Sequence, residues 1–254
     1  GETALKKARP EVPRWPDAVK FAKLPLSARA TVYGRDDIKT AMLEYIKRCQ
    51  ACDAAVIQLP GKFHLFGTSA VVGNGKTQVL LQLRDNWSSE LHQCKVLYVT
   101  YNGGGKASNY CLNVNSGSYA DAFFHLVLVS HGLPESDAVR FSAQQALVAV
   151  REKLGCADDD TVVICVDEII ELQQRNNGSP TPVNETLAYL MKMQDAHRGK
   201  LVFIFTAILP EMFDSQLTLS GRPVVCRSLP QLPMADVMKL LPPALVSATK
   251  DHPV

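Results

Sequence analysis

Short apolar runs alternate with longer segments of helical periodicity along most of the chain. Each run has about five residues between polar or glycine-rich segments, a pattern typical of strands buried on both faces of a parallel sheet. The predicted strands are Phe63–Thr68, Lys95–Thr100, Val162–Val166, Leu201–Thr206 and Val224–Arg227. Apolar spacings of three and four predict helices at Asp36–Cys52, Lys76–Asn86, Tyr119–His131, Ser142–Leu154 and Thr186–His197.

The order of these elements predicts one doubly wound α/β domain, with helices on both faces of a parallel sheet. Residues 1–32 carry four prolines and predict an extended lead-in that lies over other parts of the protein. We assign 33–240 to the α/β domain and 241–254 to the start of a lid or linker. Arg175–Pro182 and Asn102–Ser118 are predicted surface loops.

Composition excludes several classes of protein. The chain has 254 residues, 46% of them hydrophobic, and its apolar runs are far shorter than the roughly 20 residues that cross a bilayer. A net charge of +2 gives no global electrostatic basis for binding nucleic acid or membranes. Seven scattered cysteines favour a reducing, intracellular compartment. The start at Gly1 rather than methionine is typical of a piece of a longer protein.

A glycine-rich segment, Gly67–Thr77, lies between the first predicted strand and a predicted helix. Strand, glycine-rich loop and Gly-Lys-Thr in this order are the parts of a phosphate-binding P-loop, whose backbone N–H groups cradle phosphates. We expect Lys76 to reach the β- and γ-phosphates of ATP and the Thr77 hydroxyl to bind Mg²⁺. The predicted nucleotide-binding residues of this loop are Gly73, Asn74, Gly75, Lys76, Thr77 and Gln78.

One position departs from the Gly-x-x-x-x-Gly-Lys-[Ser/Thr] pattern of such loops. Ala70 stands where the pattern has its first glycine. If the backbone needs a positive φ there, alanine costs on the order of 1 kcal/mol. The departure leaves open a degenerate P-loop scaffold that binds no nucleotide.

A second motif supports nucleotide chemistry. The apolar strand Val162–Val166 leads into two adjacent carboxylates, Asp167 and Glu168. The alternative interpretation is a strand capped by solvated acids. Downstream of a P-loop, this pattern resembles the Walker B element of P-loop ATPases of the additional-strand, catalytic-glutamate type. That resemblance implies that Asp167 binds Mg²⁺ through water and that Glu168 polarises the attacking water.

The whole stretch from Tyr33 to Leu240 resembles the AAA+ and STAND-type members of these ATPases. The resemblance implies a three-layer fold with a parallel five-stranded sheet of order 5-1-4-3-2. It also implies roles for residues beyond the two motifs: Thr206 as sensor 1, Arg222 as a finger acting on a neighbouring subunit's nucleotide, and Tyr33 and Gly34 beside the adenine. A threonine ending a strand, an exposed loop arginine and a plain helix N-terminus are the alternatives.

Two further parts of the sequence refine this resemblance. Ser228–Asp236 is similar to the junction before a helical lid, yet only about two dozen residues follow Ser228, so we expect the lid to be missing or truncated. The stretch Tyr98–Gly103 is similar to a segment in the ATPase modules of Crinkler effectors and trypanosomatid retrotransposon hot spot proteins. That second resemblance implies a nuclear rather than a cytoplasmic location.

The sequence therefore predicts a module that binds and hydrolyses Mg·ATP and drives conformational change in a larger protein or assembly. Its predicted cofactors are ATP and Mg²⁺, and its predicted partners are another protein or further copies of itself. Binding of nucleic acid is expected only through a fused module, and binding to a membrane is not expected. The alternatives are a slow nucleotide-gated switch and the nucleotide-free scaffold.

Overall fold

The computed structural model describes residues 13–23, 34–51, 65–70, 75–102, 119–175, 178–179, 181–207, 224–231 and 236. Its strands are β1 (Leu65–Ser69), β2 (Cys94–Thr100), β3 (Thr161–Asp167), β4 (Leu201–Ala207) and β5 (Val224–Ser228). Its helices are α1 (Asp36–Ala51), α2 (Lys76–Asp85), α3 (Tyr119–Ser130), α4 (Glu135–Ala138), α5 (Ala143–Lys153), α6 (Glu171–Arg175) and α7 (Thr181–Ala196). A 3-10 turn spans Trp87–Glu90.

The five strands form one parallel sheet in the order β2-β3-β4-β1-β5. This is the predicted order 5-1-4-3-2, so the fold prediction is confirmed. The register aligns polar residues across the carboxyl ends of the strands: Thr100 lies beside Asp167, and Thr68 beside Thr206. Because ligands of open α/β folds bind at this end of the sheet, the register places the predicted site there.

The two faces of the sheet carry separate apolar clusters. Alternate strand residues such as Phe66, Val163 and Ile204 pack with α1 and α2. Their neighbours, such as Leu65 and Phe203, pack with α3, α5 and α7. Side chains that alternate along each strand therefore bury both faces, which explains the nearly continuous apolar runs in the sequence.

Local chemistry fixes individual helix starts. Helix α5 begins with a capping box, in which Ser142 Oγ accepts the Gln145 N–H at 3.4 Å and Gln145 Oε1 accepts the Ser142 N–H at 2.9 Å. Helix α7 begins at Thr181, five residues before the predicted start at Thr186. The loop predicted at Arg175–Pro182 is therefore wrong at its end. The first turn of a helix leaves its N–H groups without partners in the helix, so Pro182, which has no N–H, is tolerated there.

The described part of the lead-in, residues 13–23, packs against the α3 side of the sheet. Trp15 is 7% exposed and belongs to the apolar cluster of that face. The ring of Phe21 lies 4.6 Å from that of His131, and the Ala22 N–H donates to the His131 carbonyl at 2.9 Å. Among the described helices, none combines the length and apolarity needed to cross a bilayer.

Candidate functional site

Asp167 lies at the centre of a hydroxyl cluster at the carboxyl end of β3, and it is 2% exposed. Its Oδ2 accepts hydrogen bonds from Thr77 Oγ1 at 2.7 Å and from the Tyr98 hydroxyl at 2.8 Å. Its Oδ1 accepts from Thr206 Oγ1 at 2.5 Å. Three elements, α2, β2 and β4, thus hold one carboxylate. A buried carboxylate needs such partners because it has lost most of its hydration.

Glu168, the residue after β3, has a left-handed backbone with φ of 54°. This conformation costs a non-glycine residue on the order of 1 kcal/mol and is common at functional sites. The Glu168 N–H donates to Thr206 Oγ1 at 3.1 Å, which helps to hold the turn. Thr206 therefore contacts both acidic residues, one through its carboxylate and the other through its backbone.

The electrostatics of the half-buried Glu168 side chain differ from those of an exposed glutamate. Burial raises its pKa, and the neighbouring carboxylates of Asp167 and Glu171 act in the same direction. A hydrogen bond with the Asn102 side chain and the positive charge of Lys76 oppose that increase. The two adjacent acids are thus distinct in their surroundings.

Lys76 is the first residue of α2, and it is 7% exposed. Its Nζ donates to the Ala70 carbonyl at 2.8 Å. Burial lowers the pKa of Lys76, against the attraction of Asp167 and Glu168. The structure therefore brings together the lysine, the threonine that follows it and the acidic pair.

Gly75 precedes α2 with φ of 81°, a left-handed conformation that favours glycine. The first N–H groups of a helix have no partner within it, and an anion at this end is stabilised by them. Ala70 is not among the described residues with positive φ. The backbone cost that its departure from the glycine pattern could have carried does not arise, so this reason for a degenerate loop is removed.

Other predicted residues lie apart from this cluster or outside the described residues. Gly34 lines a cleft of about 620 Å³ between the start of α1 and the segment after β5. Gln78 is half-buried on the second helix. The residues outside the described part of the chain are Tyr33, Gly73, Asn74 and Arg222.

Sequence reasoning missed several residues of this site. Arg35 is 4% exposed and donates to the Pro230 carbonyl at 2.9 Å, which ties the start of α1 to the segment after β5. The Tyr98 hydroxyl contacts Asp167, and the Asn102 side chain lowers the pKa of Glu168. The predicted strand order already places β2 beside β3, but only the register shows that the Tyr98 hydroxyl reaches Asp167.

The side chains fit a magnesium ion bound with a nucleotide. Thr77 and Asp167 offer hydroxyl and carboxylate oxygens, the ligands that Mg²⁺ prefers. No group of three or more His, Cys, Asp or Glu side chains among the described residues could hold a metal alone. Mg²⁺ commonly takes its remaining ligands from water and substrate phosphates.

Comparisons with solved structures show the fold. The chain is similar to PCH-2 of C. elegans, with a TM-score of 0.51 and 14% identity over 89% of this chain and 50% of that one. It is similar to the Aeropyrum pernix ORC2 protein in its ADPNP–ADP complexes, with a TM-score of 0.54 and 14% identity over 85% of this chain and 52% of that one. No family model matches the sequence, and no curated protein matches it significantly.

The chain therefore has the fold of the AAA+ P-loop ATPases. It spans about half the length of the solved structures it matches. These comparisons do not extend to the STAND type or to the Crinkler and hot spot resemblance, which rest on the sequence strings alone. At 14% sequence identity these comparisons show a shared fold, and the evidence for an activity comes from the residues of the site.

Proposed function

We propose that this chain binds Mg·ATP and hydrolyses it. The observation that carries the proposal is the 2.7 Å hydrogen bond between Thr77 of the P-loop and Asp167 of β3, two residues 90 positions apart. With Lys76 and Glu168 beside them, the pair forms the constellation that phosphoryl transfer to water needs: a phosphate cradle, a metal site and a carboxylate for the water.

In this proposal, the N–H groups at the start of α2 and the Lys76 amine bind the phosphates, while Tyr33 and Gly34 contact the adenine. Thr77 and Asp167 hold Mg²⁺, the aspartate through water, as the donor set allows. A bound Mg²⁺ neutralises the charge on the phosphate oxygens. Lys76 releases Ala70 when it turns to the phosphates, an exchange of a hydrogen bond to a neutral carbonyl for one in which donor and acceptor are both charged.

Glu168 is the proposed general base, and it must be ionised to polarise the attacking water. The hydrogen bond from Asn102 and the charge of Lys76 favour that ionised form. Thr206 keeps both acids in position. In its proposed role as sensor 1, it contacts the γ-phosphate or the attacking water. Arg222 is proposed to act on the nucleotide of a neighbouring subunit, where a guanidinium stabilises transferring phosphoryl charge.

A slow nucleotide-gated switch is the second candidate. The raised pKa of Glu168 favours it, because burial and the charge of Asp167 make this carboxyl less readily ionised and only the ionised form activates a water molecule. Such a protein retains ADP and uses nucleotide exchange to change its contacts with a protein partner or a further copy of itself. Very slow turnover with tightly copurifying ADP would distinguish it from a cycling ATPase that drives a larger assembly.

The test combines thermal denaturation with phosphate release. Saturating Mg·ATP at about 100 times its Kd stabilises a binding protein by roughly 2.7 kcal/mol. We expect this shift in the wild type and in Glu168→Gln, but not in Lys76→Ala. Glu168→Gln should release no phosphate. Lys200→Ala, a lysine at the opposite end of the sheet that pairs with Asp159 at 3.6 Å, is the matched control and should behave as the wild type.

Two results contradict the proposal. A wild type without a nucleotide-dependent shift indicates the scaffold alternative. Phosphate release retained by Glu168→Gln removes Glu168 from its proposed role.

A further inference from the structure

Tyr98 is a second hydroxyl donor to the oxygen of Asp167 that Thr77 contacts. Its hydroxyl lies 2.8 Å from Asp167 Oδ2, and the side chain is 1% exposed. The guanidinium carbon of Arg84 lies 5.8 Å from the centre of the tyrosine ring, on the side of α2. The phenol is therefore held between the sheet and that helix, with its hydroxyl at the carboxylate.

Tyr98 and Thr100 alternate along β2 and so share one face of the strand. In the register of the sheet Thr100 lies beside Asp167, and its Oγ1 accepts the Asn102 N–H at 3.0 Å. A tyrosine has one hydroxyl hydrogen, and Asp167 is an acceptor, so this hydrogen points at the carboxylate.

A carboxylate that binds a metal or its water must keep a fixed orientation. Partners of metal ligands supply that orientation, and their loss typically costs 10–100-fold in metal affinity. Thr77 is itself a proposed ligand, and Thr206 contacts the other oxygen, Oδ1. Tyr98 is thus the donor to Oδ2 that is not itself a proposed metal ligand.

We infer that Tyr98 is a positioning residue for the divalent metal, acting through Asp167 and not through the nucleotide. The inference rests on the proposed function, since it concerns the metal that accompanies the bound nucleotide. Tyr98 neither contacts the phosphates nor supplies a ligand in this arrangement. Its removal should therefore weaken metal binding and leave metal-free nucleotide binding unchanged.

The test uses the full chain with saturating ADP and titrates Mn²⁺, whose free ion is measured by electron paramagnetic resonance. Tyr98→Phe should raise the Kd for Mn²⁺ roughly tenfold or more. Its affinity for ADP in EDTA should equal that of the wild type. Tyr45→Phe is the matched control, because it removes another buried tyrosine hydroxyl, one that accepts from Gln194 Nε2 at 3.0 Å, and it should leave the Mn²⁺ affinity unchanged.

Arg84→Lys is the second variant, which keeps the positive charge, removes the planar guanidinium over the Tyr98 ring and leaves Asp167 with all its own partners. This variant should also weaken Mn²⁺ binding, by a smaller factor than Tyr98→Phe does. If Tyr98→Phe does not fold, the Mn²⁺ affinity of this second variant tests the inference instead. Wild-type Mn²⁺ affinity in the folded tyrosine variant overturns the inference, and so does an equal loss of ADP affinity in EDTA. A wild type that binds no ADP at all contradicts the proposed function instead.

Discussion

Two adjacent acids at the end of β3 have different surroundings. Asp167 is enclosed by three hydroxyl groups, whereas Glu168 leaves the strand through a left-handed turn and stays half-buried beside it. The difference arises because alternate residues of a strand point to opposite faces, so the backbone must turn to bring both acids to one site. Environment, rather than residue type, separates the proposed metal ligand from the proposed base.

The first prediction concerns the pH dependence of turnover. Because burial and Asp167 raise the pKa of Glu168, the active carboxylate is protonated and activity is lost as pH falls through that raised value. Glu171→Gln removes a nearby negative charge and should move this acidic limb to lower pH. Asn102→Ala removes a hydrogen bond to the carboxylate and should move it to higher pH.

The measurement is kcat for ATP hydrolysis across mildly acidic to neutral pH for both variants and the wild type. Shifts of the two limbs in opposite directions support the assignment. Shifts in the same direction, or none, contradict Glu168 as the titrating group.

Sequence alone predicted the candidate site residues that belong to local motifs. Lys76, Thr77 and the acidic pair could be proposed because a phosphate-binding loop and a metal site would restrict residue type and spacing. Tyr98 could not be, because the predicted strand order places β2 beside β3 without giving the register of the two strands. Only the register shows that the Tyr98 hydroxyl reaches Asp167, two residues beyond its direct neighbour Cys165.

At the scale of elements, the amino end of the sheet is joined tightly to α1. Gly199, in the turn between α7 and β4, has φ of 76°, and its carbonyl accepts the Thr161 hydroxyl at 2.9 Å. A Cβ at this position would lie 2.5 Å from the Cys49 carbonyl oxygen of α1. The close approach of helix and turn therefore depends on glycine here.

The second prediction compares Gly199→Ala with Gly155→Ala. Both glycines have positive φ, but a Cβ at Gly155 meets no atom within 4 Å. Gly155→Ala should lower the free energy of unfolding by about 1 kcal/mol through its backbone alone. Gly199→Ala adds an overpacking cost and should lose about 3 kcal/mol. Chemical denaturation measures both, and equal losses would show that the contact with α1 yields easily.

Strands could be placed from the sequence better than helix starts could. The apolar runs marked all five strands because burial on both faces leaves little freedom in residue type. The start of α7 at Thr181 was missed because Ser, Pro and Thr favour both loops and first helical turns.

At the scale of the whole molecule, residues 13–23 extend the apolar cluster on the α3 side of the sheet. Trp15 packs within that cluster, and Lys153 Nζ of α5 donates to the Pro16 carbonyl at 3.2 Å. The P-loop helix and Asp167 belong to the opposite face. The packing of residues 13–23 and the proposed nucleotide site thus lie on opposite faces of the sheet.

The third prediction uses this separation. Trp15→Ala should lower the free energy of unfolding by about 3 kcal/mol, because a buried aromatic side chain is lost from a packed cluster. Trp87→Ala, at a half-buried tryptophan of the 3-10 turn, is the comparison and should cost less. Nucleotide affinity, measured by titration of folded Trp15→Ala, should match the wild type. Wild-type stability in Trp15→Ala would mean that residues 13–23 add nothing to the core.

The sequence by itself determined the strands, the P-loop and the acidic pair, because burial and phosphate chemistry constrain residues close together in the chain. Even the strand order came from a resemblance carried by those motifs. Only the tertiary structure decided that Thr206 and Tyr98 share Asp167, that Arg35 ties α1 to the end of β5, and that Ala70 needs no positive φ. These depend on segments far apart in sequence, and their meeting is set by packing that no single segment encodes.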